Sequence, residues 1–461
     1  MIGIRNKNNG VDMLNGSIWN KLIAFAIPIA LSSILQQLFN ASDTAIAGRF
    51  AGSVALAAVG STSALINLII NLFVGCATGA NVLIARLVAR RDEKAMTEAV
   101  STAILFGFIS GVALIFIGGL LARPLLVLMG SPDDVIDHST IYMQIYFVGM
   151  PFLMVYNFGS AILRSIGDTK RPLIALASSG VINVVLNIIF VACFGMGVSG
   201  VAIATVCSEA ISAFLVVKFL VKEKSSVRLD LHHLVFRLDH LWRIVCIGIP
   251  AGLQGIVFSL SNTCIQSGIN SLGSIAMAGN ATSGNFESIS YNISNAFSIS
   301  ALTFASQNYA VGDYSRTKRV YHDALAIGMA GMLLVDALIF IFRYPLLSLF
   351  TEDMAVKEFA IIKFYYALLP HSLIVLYEIT ASILRAMGKS LMPAIICIIG
   401  TCCVRLLWVF AVFPYFRSFD VLVMVYPISW VITATMMLIG YRIVSVKLMN
   451  DKISKAAAKA I

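Results

Sequence analysis

Twelve times along its 461 residues the chain runs through about 20 to 28 mostly apolar residues before it meets a cluster of charge. A helix rising about 1.5 Å per residue crosses the roughly 30 Å hydrocarbon layer of a bilayer in one such run. The runs fall at residues 18–46, 54–83, 98–122, 140–163, 172–194 and 198–221, then at 242–267, 275–303, 320–343, 359–384, 391–414 and 420–445. They are continuous in Leu, Ile and Ala, whereas a membrane β-barrel alternates polarity over strands of roughly ten residues. The expected class is therefore an all-α integral membrane protein with twelve spanning helices. Composition agrees: 59% of residues are hydrophobic and 12% charged, and the mean hydropathy of +0.89 lies beyond soluble domains.

The cations set an orientation. With the N-terminus inside, the inner segments hold 26 Lys and Arg, while the outer ones hold six: Arg49, Arg123, Arg343, Lys357, Lys363 and Arg417. Arg405 falls within a run. By the positive-inside rule both termini are expected in the cytoplasm. The net charge of +10 is then a topology signal, and nucleic acid is not an expected partner. The polar opening "MIGIRNKNNGVDMLNGS" has no apolar core of a cleavable signal, so the first run is expected to stay as a membrane anchor. All eight cysteines lie in apolar runs without ligand spacing and read as small buried hydrophobes.

The chain is written twice. An offset of 221 residues aligns "GSVALAA" at 52–58 with "GSIAMAG" at 273–279, and "AILRSIGDTKRP" at 161–172 with "SILRAMGKSLMP" at 382–393. The same offset sets Asp92 on Asp313, Tyr156 on Tyr377, Arg164 on Arg385 and Gly167 on Gly388. Six runs per half bring both halves into the membrane from the same side, as parallel repeats. The expected organisation is an N-terminal six-helix lobe at 1–223, a cytoplasmic linker at 224–240 and a C-terminal lobe at 241–461. Paired lobes joined by a long linker suit alternating access, and no filter-like loop of a channel is present.

Five acids stand inside the runs: Asp43, Glu209, Glu287, Asp336 and Glu378. Each costs about 2.5–3.5 kcal/mol at the centre of a bilayer, so they are expected to face protein or a watery cavity. Asp43 has the richest context. Asn183 and Asn187, four apart, share one face of the fifth run, and Thr205 on the sixth lies at the depth of Asn187, about seven residues from the outer turn. A carboxylate, two amides and a hydroxyl at one level can ligate a small monovalent cation such as Na+, or hold a carboxyl that takes and releases a proton. They can equally hold helices together by hydrogen bonds. The second half has Cys264 or Ile265, Val404 and Trp408 at the corresponding positions, so a coupling site is expected in the first half alone. Glu287 and Glu378 either attract a cationic substrate in a central cavity or pair with Arg405; Glu209 is a weaker cavity candidate. Asp336 reads as structural, snorkelling outward with Arg343 further along its helix, and His371 as a satisfied core imidazole. The 18 Met and 28 Phe residues would suit a pliable aromatic cavity for organic cations. No phosphate loop, HExxH, nucleophile elbow or Ser/His/Asp spacing points to an enzyme.

"SDTAIAGRF" in the first run, "GSVALAAVG", "ILRSIGDTKRP", "INVVLNIIF" and "GVSGVAIATV" resemble the multidrug and toxic compound extrusion (MATE) family in its bacterial branch, within the multidrug/oligosaccharidyl-lipid/polysaccharide flippase superfamily. The resemblance covers about residues 17–447 and the doubled layout. It implies a cofactor-free secondary exporter of the bacterial cytoplasmic membrane, working as a monomer and exchanging small cationic amphipathic compounds for Na+ or H+. It also implies that Asp43 is the coupling carboxylate and that Asn183, Asn187 and Thr205 complete its site. Asn187 stands where many members carry a second acid, and Ala310 replaces a usual glycine in "SQNYAVGDYS". A lipid-linked oligosaccharide flippase or a dedicated metabolite exporter is the alternative; the flippase would want a more basic cavity than five buried acids against Arg405 provide. One ion exchanged for one monovalent cation cancels the membrane potential, roughly 2.3 kcal/mol per 100 mV. Only the chemical gradient, about 1.4 kcal/mol per tenfold, then drives export.

Overall fold

The computed structural model describes residues 10–129 and 133–460. Arg5 and Lys7, which enter the inner charge count, and the outermost ends of the 1–223 and 241–461 lobes lie outside the described residues. Among the described residues all regular structure is helical. The first half contains α1 (Ile18–Ala51), α2 (Gly52–Arg90), α3 (Glu93–Leu128), α4 (Asp133–Val148 continued by Met150–Ser165), α5 (Lys170–Cys193) and α6 (Gly197–Val221). The second contains α7 (Leu238–Asn270), α8 (Ser274–Ala310), α9 (Tyr314–Ile341), α10 (Met354–Ala386), α11 (Leu391–Val412) and α12 (Phe419–Lys447).

Ten of these are long and apolar enough to span as single described helices. The eleventh, α4, bends by 47° where Gly149 precedes Pro151, because proline offers no N–H and crowds the preceding turn. The twelfth, α8, is helical over 37 residues but rich in Ser, Asn and Thr, and so less apolar than the others. Several of its buried hydroxyls are satisfied by their own helix, Ser283 on Asn280 O, Ser300 on Ala296 O and Thr303 on Ile299 O, so burial leaves them bonded. The helix ends at the α2–α3 turn run further than hydropathy indicates: Asp92 caps α3 by accepting from Ala95 N at 3.1 Å.

The repeat is visible in backbone detail. Gly167 and Gly388, related by the offset, take φ of +91° and +84° at the turns after α4 and α10, a region open to glycine. α5 ends in a π-turn at Ile188–Cys193 and α11 in another at Trp408–Val412. In such turns the chain widens to i→i+5 hydrogen bonding.

Packing divides the chain into two compact units, Met1–Ile256 with Ser306–Tyr314, and Val257–Ala305 with Ser315–Ile461. In the first, α2 meets the beginning of α7 through two facing G-x-x-x-G segments, "GCATG" at 75–79 and "GIPAG" at 248–252. A Cβ on Gly75 would come within 2.4 Å of Gly252 N, and one on Gly79 within 2.2 Å of Ile244 O. Small residues at this spacing let membrane helices touch backbone to backbone. The linker 224–240 is laid against α3: Val227 and Leu229 are buried, Thr97 donates to Ser226 O, and Thr102 accepts from Arg237 N at 3.0 Å. The second unit packs α10 on α12 around Tyr377, Ile374 and Trp430.

Where α5 begins, Arg171 bridges Asp168 and Glu223. Burial by itself would raise the Glu223 carboxyl, but Arg171 and the N–H groups of Lys224 and Ser225 hold it below the ordinary 4.5. A depressed carboxyl stabilises the fold fully above the ordinary value, and that contribution is lost as pH falls through the folded-state value. Arg171→Ala leaves the buried Asp168 and the partly buried Glu223 without their cation and is expected to cost about 3 kcal/mol. Thermal unfolding in detergent between about pH 7 and about pH 3 checks both points: the variant should melt lower at neutral pH and show a shallower acid slope.

Candidate functional site

Three helices bring the sequence-predicted cluster together. Asp43 lies near the C-terminal end of α1, in the turn before the π-turn Ala47–Ala51, and is 7% exposed. α5 reaches it closely because Gly180 faces the ring of Phe39 on α1; an added Cβ there would sit 1.8 Å from the ring. Asn187 Nδ2 then donates to Asp43 Oδ1 at 2.6 Å and to Asn183 Oδ1 at 3.2 Å. Thr205 Oγ1 on α6 donates to Asp43 Oδ2 at 3.3 Å, or to Val201 O at 3.0 Å. Asn183 and Asn187 are both buried, and Asn187 Oδ1 is buried with no hydrogen-bond partner.

Each carboxylate oxygen thus has one donor. Charge-assisted hydrogen bonds of this kind contribute roughly 1.5–3 kcal/mol each, enough to offset the membrane penalty of the acid. The Thr205 hydroxyl has two acceptors in reach. It can turn its hydrogen to Val201 O and accept a proton held on Asp43 Oδ2, so the site has two hydrogen-bonded states with the same heavy-atom positions.

A cavity of about 300 Å³ opens beside this cluster. Asp43, Asn71, Tyr146, Asn157 and Glu209 are among its lining residues. Glu209 stands one helical turn beyond Thr205 on α6, with Tyr146 as hydrogen-bonding neighbour and its Oε2 buried without a partner. The absence of a side chain at Gly149, at the bend in α4, leaves room for that carboxylate: a Cβ there would fall 2.6 Å from Glu209 Oε2. Sequence placed Glu209 only as a weak candidate, since its direction along a uniformly apolar helix is not encoded in spacing.

Glu287, Glu378 and Arg405 belong to the second unit. Neither proposed pairing of the acids with Arg405 is found among the described residues. Glu287 pairs with Lys363 at 3.1 Å, and Lys363 lies inside α10, 5% exposed at its side chain, rather than in an outer loop. Arg405 is held by neutral groups, Asn262 Oδ1 at 2.6 Å and Ser429 Oγ at 3.3 Å, between the rings of Phe258 and Tyr426. A guanidinium suits such a place because its faces stack on aromatics while its edge donates. Asp336 does not snorkel towards Arg343: it is 2% exposed and bonded to Ser290.

Twelve helices in two repeated halves, with a carboxylate site and chamber in the first, define a polytopic membrane transporter. The MatE family profile matches twice, at residues 28–189 and 250–410, one match per half. The probable multidrug resistance protein YoeA of Bacillus subtilis is 30% identical over 391 residues, covering 83% of this chain and 84% of that protein. The FAD transporter of Shewanella oneidensis is 26% identical, covering 78% and 79%. The crystal structure of a MATE P26A mutant superposes with a TM-score of 0.89 at 21% identity, over 96% of this chain and 99% of that one. The chain belongs to the MatE family, and is a transporter rather than an enzyme.

Proposed function

We propose that this protein is a proton-coupled secondary exporter of cationic amphipathic compounds, working by alternating access in the cytoplasmic membrane of a bacterium with both termini inside. The observation that carries this reading is the Asp43 carboxylate, 7% exposed, wired to Asn187 and Thr205 at the wall of a chamber that also holds Glu209. The cavity volume is at the lower end of small-molecule sites, which suits a compact amphipathic cation whose charge meets Glu209. The Thr205 hydroxyl supports H+ as the exchanged ion, because it can serve Asp43 in either protonation state.

Na+ is the second reading, favoured by one observation: Asn187 Oδ1 is an unanswered buried acceptor beside Asp43, Asn183 Oδ1 and Thr205 Oγ1. As exchanged substrate, Na+ would draw on those oxygens, which are the hard ligands it prefers. The single chain supplies every group named, so a monomer suffices. A relative that is an FAD transporter keeps a dedicated metabolite exporter as the alternative.

Proteoliposomes loaded under an imposed pH or Na+ gradient test the reading directly. Uptake of methyltriphenylphosphonium into inverted vesicles is expected under the pH gradient; a response to neither gradient would sink it. Glu209→Gln is expected to weaken binding of that monocation by about tenfold, the equivalent of about 1.4 kcal/mol. Its neutral near-isostere triphenylphosphine oxide should bind wild type and variant alike, as measured by equilibrium dialysis.

A further inference from the structure

The second unit encloses three polar side chains from three helices that the chamber at Asp43 does not use. Asp336 on α9 is 2% exposed, His371 on α10 is 4% exposed, and Ser290 on α8 is fully buried. Ser290 Oγ donates to Asp336 Oδ1. His371 Nδ1 lies 3.2 Å from the same Oγ and 3.9 Å from Oδ1. With the Ser290 hydrogen committed to the carboxylate, Nδ1 must be the nitrogen that carries a hydrogen and donates to Oγ. That assignment leaves Nε2 as the position that gains a proton. Asp336 Oδ2 is buried with no hydrogen-bond partner.

A half-answered carboxylate at this depth calls for a compensating positive charge. Among the described residues no Lys or Arg comes within 4.0 Å of Asp336. The other charged and titratable groups on the surrounding helices are otherwise engaged or distant in register. Glu287, three residues before Ser290, is paired with Lys363 of α10. Arg343, beyond the end of α9, donates to Phe340 O and stacks on the Phe340 ring. Arg405 of α11 stacks on Tyr426 of α12, and Glu378 stands two turns along α10 from His371. The imidazole is therefore the group placed to supply the charge, and buried Asp/His chains in membrane helices are the usual hardware of proton relays.

We propose that Ser290, Asp336 and His371 form a second proton-binding site, in the second half of the chain, where one proton is taken up on His371 Nε2 opposite the Asp336 carboxylate. It is no copy of the first: under the 221-residue offset Asp336 falls on Ile115, His371 on Met150 and Ser290 on Ile69. If the exporter reading above holds, two protons per monovalent cation square the exclusion that one proton supports at a given pH difference. Such an exchange also carries one net charge inward and so draws on the membrane potential.

Trp430 supplies a reporter, since its ring lies against His371 with centroids 5.5 Å apart, and an imidazolium quenches a neighbouring indole. In the full-length chain with Trp19, Trp242 and Trp408 replaced by Phe, Trp430 emission is expected to fall on acidification between about pH 8 and about pH 5. The fall should vanish in His371→Gln and be lost or confined to the acid end in Asp336→Asn. A flat emission profile, or a fall that persists in His371→Gln, overturns the site. Should His371→Gln not fold, Ser290→Ala decides: it keeps both ionisable groups, and an unchanged titration curve would show that the bridge described here does not link them. The proton-to-substrate ratio in proteoliposomes is expected to drop from two to one in His371→Gln. A chain that moves no organic cation would remove the exporter reading, while the Trp430 titration still settles the proton site.

Discussion

Replacing Asp43 with Asn should leave a folded chain that still binds its organic cation and has lost the ion response of the first-half site. Asn is nearly isosteric, and its carbonyl can keep the hydrogen bond from Asn187 Nδ2 that Asp43 Oδ1 now accepts at 2.6 Å. Thr205 can turn its hydrogen to Val201 O at 3.0 Å and accept from the new amide instead. What disappears is the charge that distinguishes the ion-loaded from the ion-free site. Coupling between two ligands is a free energy of about 1–3 kcal/mol, a factor of 5–150 in affinity. In the wild type, acidification or added Na+ should shift substrate affinity by a factor in that range; in Asp43→Asn the ratio should fall to what the His371 site alone supports, and in Asp43→Asn combined with His371→Gln it should collapse to about one. Binding isotherms with and without the ion decide it. A shift undiminished in Asp43→Asn would make Asp43 a helix-joining group and move coupling to other carboxyls.

The largest loss of stability is expected where α2 meets α7. Around Gly75, Gly79, Gly248 and Gly252 the atoms nearest an added Cβ are backbone, at 2.2 to 2.6 Å. Backbone cannot rotate out of the way as a side chain can, so the helices must part along the seam. Overpacking a core ordinarily costs about 1–3 kcal/mol, and a β-branched residue pressed against a neighbouring helix's backbone should exceed that. Gly79→Val and Gly248→Val are therefore expected to lose most folded yield, and the alanine variants to melt clearly lower. Gly60 and Gly119 have nothing within 4 Å of an added Cβ, and Gly60→Ala and Gly119→Ala should melt like the wild type or slightly higher, since alanine favours helix. Fluorescence-detected size exclusion after a heat ramp ranks all of them; equal melting of seam and control alanines would contradict the backbone contact.

The large outline was legible because it rests on length and period. Runs long enough to span, an offset held across six of them, and equal depth of Asn187 and Thr205 from one short outer turn all survive as geometry. Features that depend on which way a uniformly apolar helix faces were not. Glu209 turns into the chamber, and Asp336 turns to Ser290 instead of snorkelling. Lys363 reads as an outer-loop cation because it follows charged residues in sequence, yet the helix continues through it and Glu287 of α8 neutralises it. The Ser290, Asp336 and His371 cluster joins side chains 35 to 81 residues apart, which no spacing rule links. The paired G-x-x-x-G segments carry a spacing that signals a close helix seam, but nothing in the sequence pointed to α2 meeting α7.

The π-turns bear on how the first-half site came to be where it is. Ile188–Cys193 follows directly on Asn187, which invites the thought that holding an ion or proton deformed the helix there. Yet Trp408–Val412 repeats the deformation at the matching place of α11, with Val404 and Trp408 where α5 has Asn183 and Asn187. The widened turn is common to both copies of the repeated unit, and the polar chemistry is carried by one of them alone. Grafting Asn at 404 and 408 with Asp at 264 would then ask whether a duplicated scaffold still carries a vacancy for the same trade.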